Sequence, residues 1–266
     1  MKKTLAWILS LVLLIGVTGT VSAFADDKPG PLENKGAAIV AIFADEEVCP
    51  VIAPEDLPKV EDEILTDAIL IYYSDNTFEQ YAQTPSGYEP YRSGTYTFKG
   101  EGDFNLSEDE DEDILEIEIQ KQHSTSGMRP VDVSETSEFK LGAIRNNQIY
   151  GPKDGREIVA VFCDDNAIIH TNESGVISKL DAIWIYFTDN TFAEYVLQNG
   201  EVVPFGSGTY EFNETGDFNV DAMEEDHGTI TISWKESVED LAGKSLTFDL
   251  GTMGFVRIYA KQDALP

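Results

Sequence analysis

The amino-acid sequence contains one pattern twice, and this duplication limits the chain to folds in which a single unit is built two times. Residues 67–78, DAILIYYSDNTF, return as residues 181–192, DAIWIYFTDNTF, at an offset of 114. The same offset relates SGTY at residues 93–96 and GDFN at residues 102–105 to identical motifs in the second half of the chain. Three collinear matches indicate a tandem duplication.

The repeat spans most of the chain, which sets the predicted domain boundaries. Ile39 aligns with Ile158, and Tyr150 aligns with Tyr259, at offsets that differ only slightly from that of the central motifs. We therefore predict two homologous β domains, residues 36–151 and residues 156–262, joined by the turn-rich segment GPKDG.

Each copy is predicted to form short antiparallel strands. Apolar, β-branched and aromatic side chains alternate before the pair Asp75-Asn76, whose residue types favour tight turns. Turn chemistry is the simpler alternative to a metal or sugar contact for this pair, and it would place Tyr73 opposite Phe78. Seven or eight strands per copy predict an all-β fold of two homologous antiparallel meander domains, each a small up-and-down barrel without free edges. The residues predicted to be buried are the equivalent pairs Ile69/Ile183, Ile71/Ile185, Phe78/Phe192, Tyr96/Tyr210 and Phe98/Phe212.

The order of these motifs, YSDNTF followed by SGTY, a Gly-Asp pair and an alternating strand, resembles the hairpin series of lipocalin-like (calycin-type) domains of secreted bacterial proteins. The resemblance covers the central part of each copy. It implies a lipocalin-like β-barrel with a ligand mouth.

The first 25 residues have the features of a secretory signal peptide. Lys2 and Lys3 precede an apolar stretch at residues 5–17 that is too short to span a membrane, and small residues follow it. We expect cleavage after Ala25, a flexible leader at residues 26–35, and a secreted, extracellular protein without membrane insertion.

The composition indicates a folded and strongly acidic protein. Hydrophobic residues make up 42% of the chain, and 49 Asp and Glu against 18 Lys and Arg give a net charge of −31. This charge repels phosphate backbones and anionic lipids, so nucleic-acid and membrane-surface partners are excluded. A small molecule or glycan and cations remain as candidate partners, and the sequence does not indicate an oligomeric state.

Export to an oxidising compartment would allow a disulfide between the two cysteines, Cys49 and Cys163. Their positions are not equivalent in the repeat, which favours two unbridged thiols. Both alternatives stay open at the level of sequence.

A set of aromatic residues on the central strands is the candidate ligand site. Simple strand alternation would place these residues on the face opposite Ile69 and Ile71. Aromatic rings beside polar groups line many small-ligand and sugar sites, while core filling or an interface between the copies is the alternative interpretation. The set consists of Tyr72, Tyr81, Trp184, Tyr186 and Tyr195.

Acidic runs follow the GDFN motif in both copies and are the candidate metal site. Clustered carboxylates are the hard oxygen ligands that suit Ca²⁺, which is the candidate cofactor. The spacing departs from that of an EF-hand loop, and a solvated acidic loop is the alternative. The candidate ligands are Asp109, Asp111 and Asp113 in the first copy, and Asp217, Asn219 and Asp221 in the second.

The sequence contains no recognisable catalytic fingerprint, and its three histidines fall at unrelated positions of the repeat. We therefore expect no enzymatic activity and predict a non-catalytic, extracellular module that binds a small ligand or carbohydrate. The alternatives are a calcium-dependent structural or surface protein and a hydrolase that uses two carboxylates.

Overall fold

The structure is a computed structural model of the 266-residue chain. It describes residues 37–50, 65–84, 87–106, 113–123, 131–144, 147–171, 177–198, 201–213, 216–218, 228–238, 241–253 and 256–261. These residues form two seven-stranded antiparallel sheets, so the predicted all-β fold of two similar domains is confirmed. Candidate calcium ligands Asp109, Asp111, Asn219 and Asp221, and the signal peptide and leader, lie outside the described residues.

The first sheet contains β1 (Ile39–Pro50), β2 (Leu65–Tyr73), β3 (Thr77–Thr84), β4 (Gly87–Lys99), β5 (Ile114–Gln122), β6 (Val131–Lys140) and β7 (Gln148–Tyr150). The second sheet contains β8 (Ile158–Thr171), β9 (Ile177–Phe187), β10 (Thr191–Gln198), β11 (Glu201–Asn213), β12 (Thr229–Ser237), β13 (Ser245–Asp249) and β14 (Arg257–Ala260). One-turn helices α1 (Leu141–Ile144) and α2 (Leu250–Met253) precede β7 and β14, and a 3₁₀ turn (Pro152–Asp154) lies between the sheets.

Both sheets have the same strand order, so the duplication in sequence is a duplication in structure. Strands β1 to β6 are neighbours in chain order, and β7 returns to the far side of β1, which gives the order β6-β5-β4-β3-β2-β1-β7. The second sheet repeats this order as β13-β12-β11-β10-β9-β8-β14. Each sheet therefore brings the end of its copy back to the first strand.

The β2–β3 hairpin differs by one residue from the predicted register, because Tyr72 and not Tyr73 lies opposite Phe78. Asn76 has a φ of 65° and is a third loop residue, and its N–H donates to the Tyr73 carbonyl at 3.1 Å. Asn190 repeats this conformation at a φ of 60°. A left-handed residue after a tight turn is the usual form of a three-residue hairpin loop.

The repeated Asp-Asn-Thr sequence has the predicted turn role. The Asp75 carboxylate accepts hydrogen bonds from the backbone N–H of Thr77, at 3.1 Å, and from the Thr77 hydroxyl, at 2.6 Å. Asp189 makes the same two bonds with Thr191 in the second copy. These side chains tie the loop to the start of the next strand.

The repeated SGTY motif lies beside a β-bulge in each sheet. Ser93 and Gly94 of β4 pair with Lys121 and Ile119 of β5, so Gln120 is an extra residue. The bulge pushes the neighbouring carbonyl so close to the glycine that a Cβ would lie 1.9 Å from the oxygen in the first sheet and 2.0 Å in the second. Only glycine fits at these two positions.

The repeated GDFN motif supplies a phenylalanine that fills the inner face of each sheet. The Phe104 ring lies 4.8 Å from the ring of Tyr72, 5.3 Å from Tyr96 and 4.9 Å from Phe98, measured between centroids. Phe218 makes the equivalent contacts in the second sheet. We call these two sets of packed side chains the inner clusters of the first and second sheets.

The two sheets pack against each other through a shared core that takes buried residues from four strands of each copy. Its contacts are reciprocal: the Tyr73 ring is 6.2 Å from Tyr259, and the Tyr150 ring is 6.1 Å from Phe187. Tyr73 is equivalent to Phe187 in the repeat, and Tyr150 is equivalent to Tyr259, so the interface has the pseudo-two-fold form of a homodimer interface. The shared core comprises Ile39, Ile42, Ala44, Ile69, Ile71, Tyr73, Tyr81, Ile149, Tyr150, Ile158, Val161, Cys163, Ile183, Ile185, Phe187, Ala193, Leu197, Ile258 and Tyr259.

Most of the residues predicted to be buried are buried. The pairs beginning with Ile69, Ile71, Phe78 and Tyr96 are in the core, whereas Phe98 and its equivalent are half-buried. Cys163 is a free, buried thiol, and the side chain of Cys49 is not among those described. Among the described residues, no helix has the length and apolar character needed to cross a membrane.

Candidate functional site

The five aromatic residues of the predicted ligand site are distributed over three clusters, so the expectation that they share one face was wrong. Tyr72 lies in the inner cluster of the first sheet, and Trp184 and Tyr186 belong to the second. Tyr81 and Tyr195 lie in or against the shared core. The hairpin register is the physical reason, because a shift of one residue turns the β3 and β10 side chains to the opposite face.

The burial of these rings limits what they can contact. Tyr72, Tyr81 and Tyr186 are exposed by 2% or less and are enclosed by other core side chains. A ligand that touches them would have to displace that packing. Ligand binding by this set stays a prediction. In the structure these rings pack in the inner clusters and the shared core.

The candidate calcium ligands are only partly described. Asp113 and Asp217 are the two that fall in described residues, and no group of three His, Cys, Asp or Glu side chains there is arranged to hold a metal ion. Calcium binding by the acidic runs therefore stays a prediction.

A buried carboxylate, that of Glu79, lies at the shared core. Its Oε2 atom accepts hydrogen bonds from the hydroxyls of Tyr73 and Tyr81, each at 2.8 Å. Burial raises the pKa of the Glu79 carboxyl above its ordinary value, and the two tyrosine hydrogen bonds offset part of that rise. The second copy has Ala193 at the equivalent position, so this network belongs to the first repeat alone.

Two further buried carboxylates are held by neutral donors. Asp181 accepts from Gln83 Nε2 at 2.8 Å and from the Tyr88 hydroxyl at 3.1 Å, both of which belong to the other repeat. Glu194 accepts from the indole N–H of Trp234 at 3.0 Å. These acids are engaged in packing between strands and between repeats.

An open pocket of about 120 Å³ lies where the first repeat meets the linker to the second. It is formed by the loop that carries the GDFN motif, by β7 and by the 3₁₀ turn. Its lining residues are Phe104, Asn105, Leu106, Gln148, Ile149, Tyr150, Gly151, Lys153 and Asp154. The lining combines two amides, one cation and one carboxylate with apolar side chains.

The wall of this pocket contains an unsatisfied acceptor. Within the described part of the chain, Asn105 Oδ1 is buried and has no hydrogen-bond partner, although the Asn105 backbone N–H donates to Asp103 at 2.6 Å. Gln148 Nε2 donates to the Phe104 carbonyl at 2.8 Å. Gly151 permits this approach, because a Cβ there would lie 2.7 Å from that amide nitrogen. A buried polar atom without a partner costs about 1–3 kcal/mol. A ligand donor would recover this cost once the Asn105 amide turns and exposes Oδ1 to the pocket.

The two charged residues of the wall are also partly engaged. Asp154 forms an ion pair with Arg156 at 2.9 Å, and Lys153 Nζ makes only a long contact of 3.4 Å with the Leu106 carbonyl. Lys153 and Asp154 carry opposite charges, so the described lining has no net formal charge in a chain of −31. A neutral ligand suits such a site better than a cation.

The second repeat differs at the equivalent positions. Arg257 replaces Gln148 and donates to the Phe218 carbonyl at 3.1 Å, and Ala260 replaces Gly151. The sequence motif GDFN indicated that Asn105 lies on a repeated loop, but nothing in the sequence brought Gln148 or the linker to it. The turn-rich composition of the linker was the one sequence feature that marked this region before the structure was known.

No protein-family model matches the chain, and no curated protein matches its sequence. The resemblance to lipocalin-like domains stays a prediction. The function must therefore be inferred from the chemistry of the pocket.

Proposed function

We propose that the protein is a secreted, non-catalytic binding module that takes a small, neutral, polyhydroxylated ligand in the pocket of the first repeat. The observation that carries this proposal is the buried, unpartnered Asn105 Oδ1 in the pocket wall. A ligand hydroxyl can both donate and accept, so it satisfies an amide in either orientation.

The size of the pocket favours a ligand of one ring. Its volume of about 120 Å³ is comparable to the roughly 150 Å³ cavity that holds benzene in an engineered protein core. A single sugar ring with its upper half in solvent fits these dimensions. The Gln148 amide and the Lys153 ammonium stand beside Asn105 as further hydrogen-bonding groups.

The placement of the carboxylates supports a non-catalytic role. Glycoside hydrolysis needs two carboxyl groups that flank the scissile bond, whereas among the described residues this pocket is lined by one carboxylate, Asp154, which is paired with Arg156. The buried acids Glu79, Asp181 and Glu194 accept hydrogen bonds within the packing and do not line the pocket.

Titration of the ¹⁵N-labelled protein with glucose, galactose and N-acetylglucosamine tests the proposal. We expect chemical-shift changes at Asn105, Gln148 and Gly151 with weak affinity, around a Kd of about 1 mM, because one ring offers few contacts. Asn105→Ala should weaken binding about 5- to 30-fold, which corresponds to the loss of one buried hydrogen bond.

Asn213→Ala is the matched control, because that amide already donates to Thr229 and Thr231 in the second repeat. It should leave the Kd unchanged. Shifts that map to another surface, or an Asn105→Ala protein that binds as tightly as wild type, would refute the assignment of this pocket.

A further inference from the structure

The shared core contains an ionisable group that only one of the two repeats supplies. Glu79 and Tyr73 of the first repeat correspond to Ala193 and Phe187 of the second, while Tyr81 corresponds to Tyr195. The two repeats thus share the packing of this interface, and a carboxyl group stands on one side of it.

The Tyr81 hydroxyl has two acceptors and one proton to donate. Its oxygen lies 2.8 Å from Glu79 Oε2 and 3.1 Å from the backbone carbonyl oxygen of Ile258, which belongs to the second repeat. Ile258 is an extra residue in β14, because Arg257 and Tyr259 pair with the adjacent residues Phe162 and Val161. A bulge of this kind re-aims backbone groups out of the ladder, here toward Tyr81.

We propose that Glu79 is a proton-controlled latch between the two repeats. When Glu79 is ionised, it accepts from both tyrosines, and the Tyr81 proton is held within the first repeat. When Glu79 takes a proton from solvent, its O–H donates to the Tyr81 oxygen, and Tyr73 still donates to the Glu79 carboxyl. Tyr81 then donates its own proton to Ile258. Protonation thereby moves one hydrogen bond from within a repeat to across the interface.

The surroundings of Glu79 favour the protonated form. The described groups that act on its charge are Tyr73 on β2, Asp75 in the hairpin loop, Tyr81 on β3 and Tyr259 on β14, and none of them is a cation. Ser93 lies opposite Glu79 on β4 and is neutral. Burial without a compensating positive charge disfavours the carboxylate.

The direction of the pH effect follows from the raised pKa of Glu79. The folded protein binds this proton more tightly than the unfolded chain does, so the contribution is fully present below the ordinary pKa of 4.5 and is lost as the pH rises through the folded value. The interface should therefore tighten on mild acidification.

Amide hydrogen exchange at residues 258–260 of the full chain tests the latch, with each rate divided by that of Glu79→Gln at the same pH. From about pH 8 to about pH 5 we expect protection in wild type to rise, and the full gain of about tenfold for each unit by which the pKa is raised is reached below pH 4.5. Tyr81→Phe should lose this gain, and Tyr195→Phe, the repeat-equivalent change beside Ala193, should keep it.

A ¹³C titration of the Glu79 carboxyl in wild type adds a measurement that needs no variant, and its midpoint should lie above 4.5. A midpoint at or below that value would overturn the proposal. Equal pH responses of Tyr81→Phe and Tyr195→Phe would overturn it as well.

Discussion

Replacing Gly94 with alanine should destabilise the protein by about 3–5 kcal/mol, which is the upper range for a single substitution. The added Cβ would stand 1.9 Å from the backbone carbonyl oxygen of Glu118, and that carbonyl belongs to the β4–β5 ladder. It cannot move without breaking strand pairing. Gly208→Ala should cost a similar amount, because its Cβ would stand 2.0 Å from the Ser233 carbonyl oxygen. Urea unfolding followed by circular dichroism measures both free energies.

Gly100→Ala is the control for the glycine substitutions. Gly100 has a φ of 99°, but its Cβ would meet open space, so only the conformational cost of about 1–2 kcal/mol is expected. If Gly94→Ala and Gly208→Ala unfold at the same urea concentration as Gly100→Ala, the predicted clash between the added Cβ and the carbonyl oxygen at the bulges is wrong.

Truncating the phenylalanine of either GDFN motif, Phe104→Ala or Phe218→Ala, should cost about 3–5 kcal/mol. Each ring fills the centre of an inner cluster and contacts four other aromatic rings. The two variants should be alike, because the two clusters are built from equivalent residues. Thermal and urea unfolding measure the losses.

Phe139→Ala is the matched control for Phe104→Ala and Phe218→Ala, because Phe139 is 38% exposed on the edge strand β6. It should cost less than about 1 kcal/mol. A Phe104→Ala protein as stable as the Phe139→Ala protein would show that the Phe104 ring does not stabilise the inner cluster of the first sheet.

Much of the fold could be predicted from the sequence because the motifs carry local chemistry. Asp75 and Asn76 specify a turn by their own side chain and backbone preferences, and the same residues recur in the second copy. Alternation identified Ile69 and Ile71 as core residues.

The register was missed because it depends on one backbone conformation. A two-residue loop and the observed three-residue loop both fit the letters SDNT, and the choice depends on whether Asn76 adopts a positive φ. That choice decided the face on which Glu79 and Tyr81 lie, and with it the predicted ligand site.

The pocket could not be predicted because its parts are distant in sequence. Asn105 and Gln148 are 43 positions apart, and they meet only because β7 returns to β1 and brings the linker beside the GDFN loop. The residues that the two repeats share form turns, bulges and core, whereas Gln148 and Gly151 of the pocket and Glu79 of the latch lie at positions where the repeats differ.

Native-state hydrogen exchange tests most directly whether the two repeats form one structural unit through the shared core. If they do, the core amides of Ile71 and Ile185 should open with the same free energy, and Gly94→Ala in the first repeat should lower both values equally. A second repeat that keeps full protection at Ile185 while Ile71 loses it would contradict a shared, cooperative core.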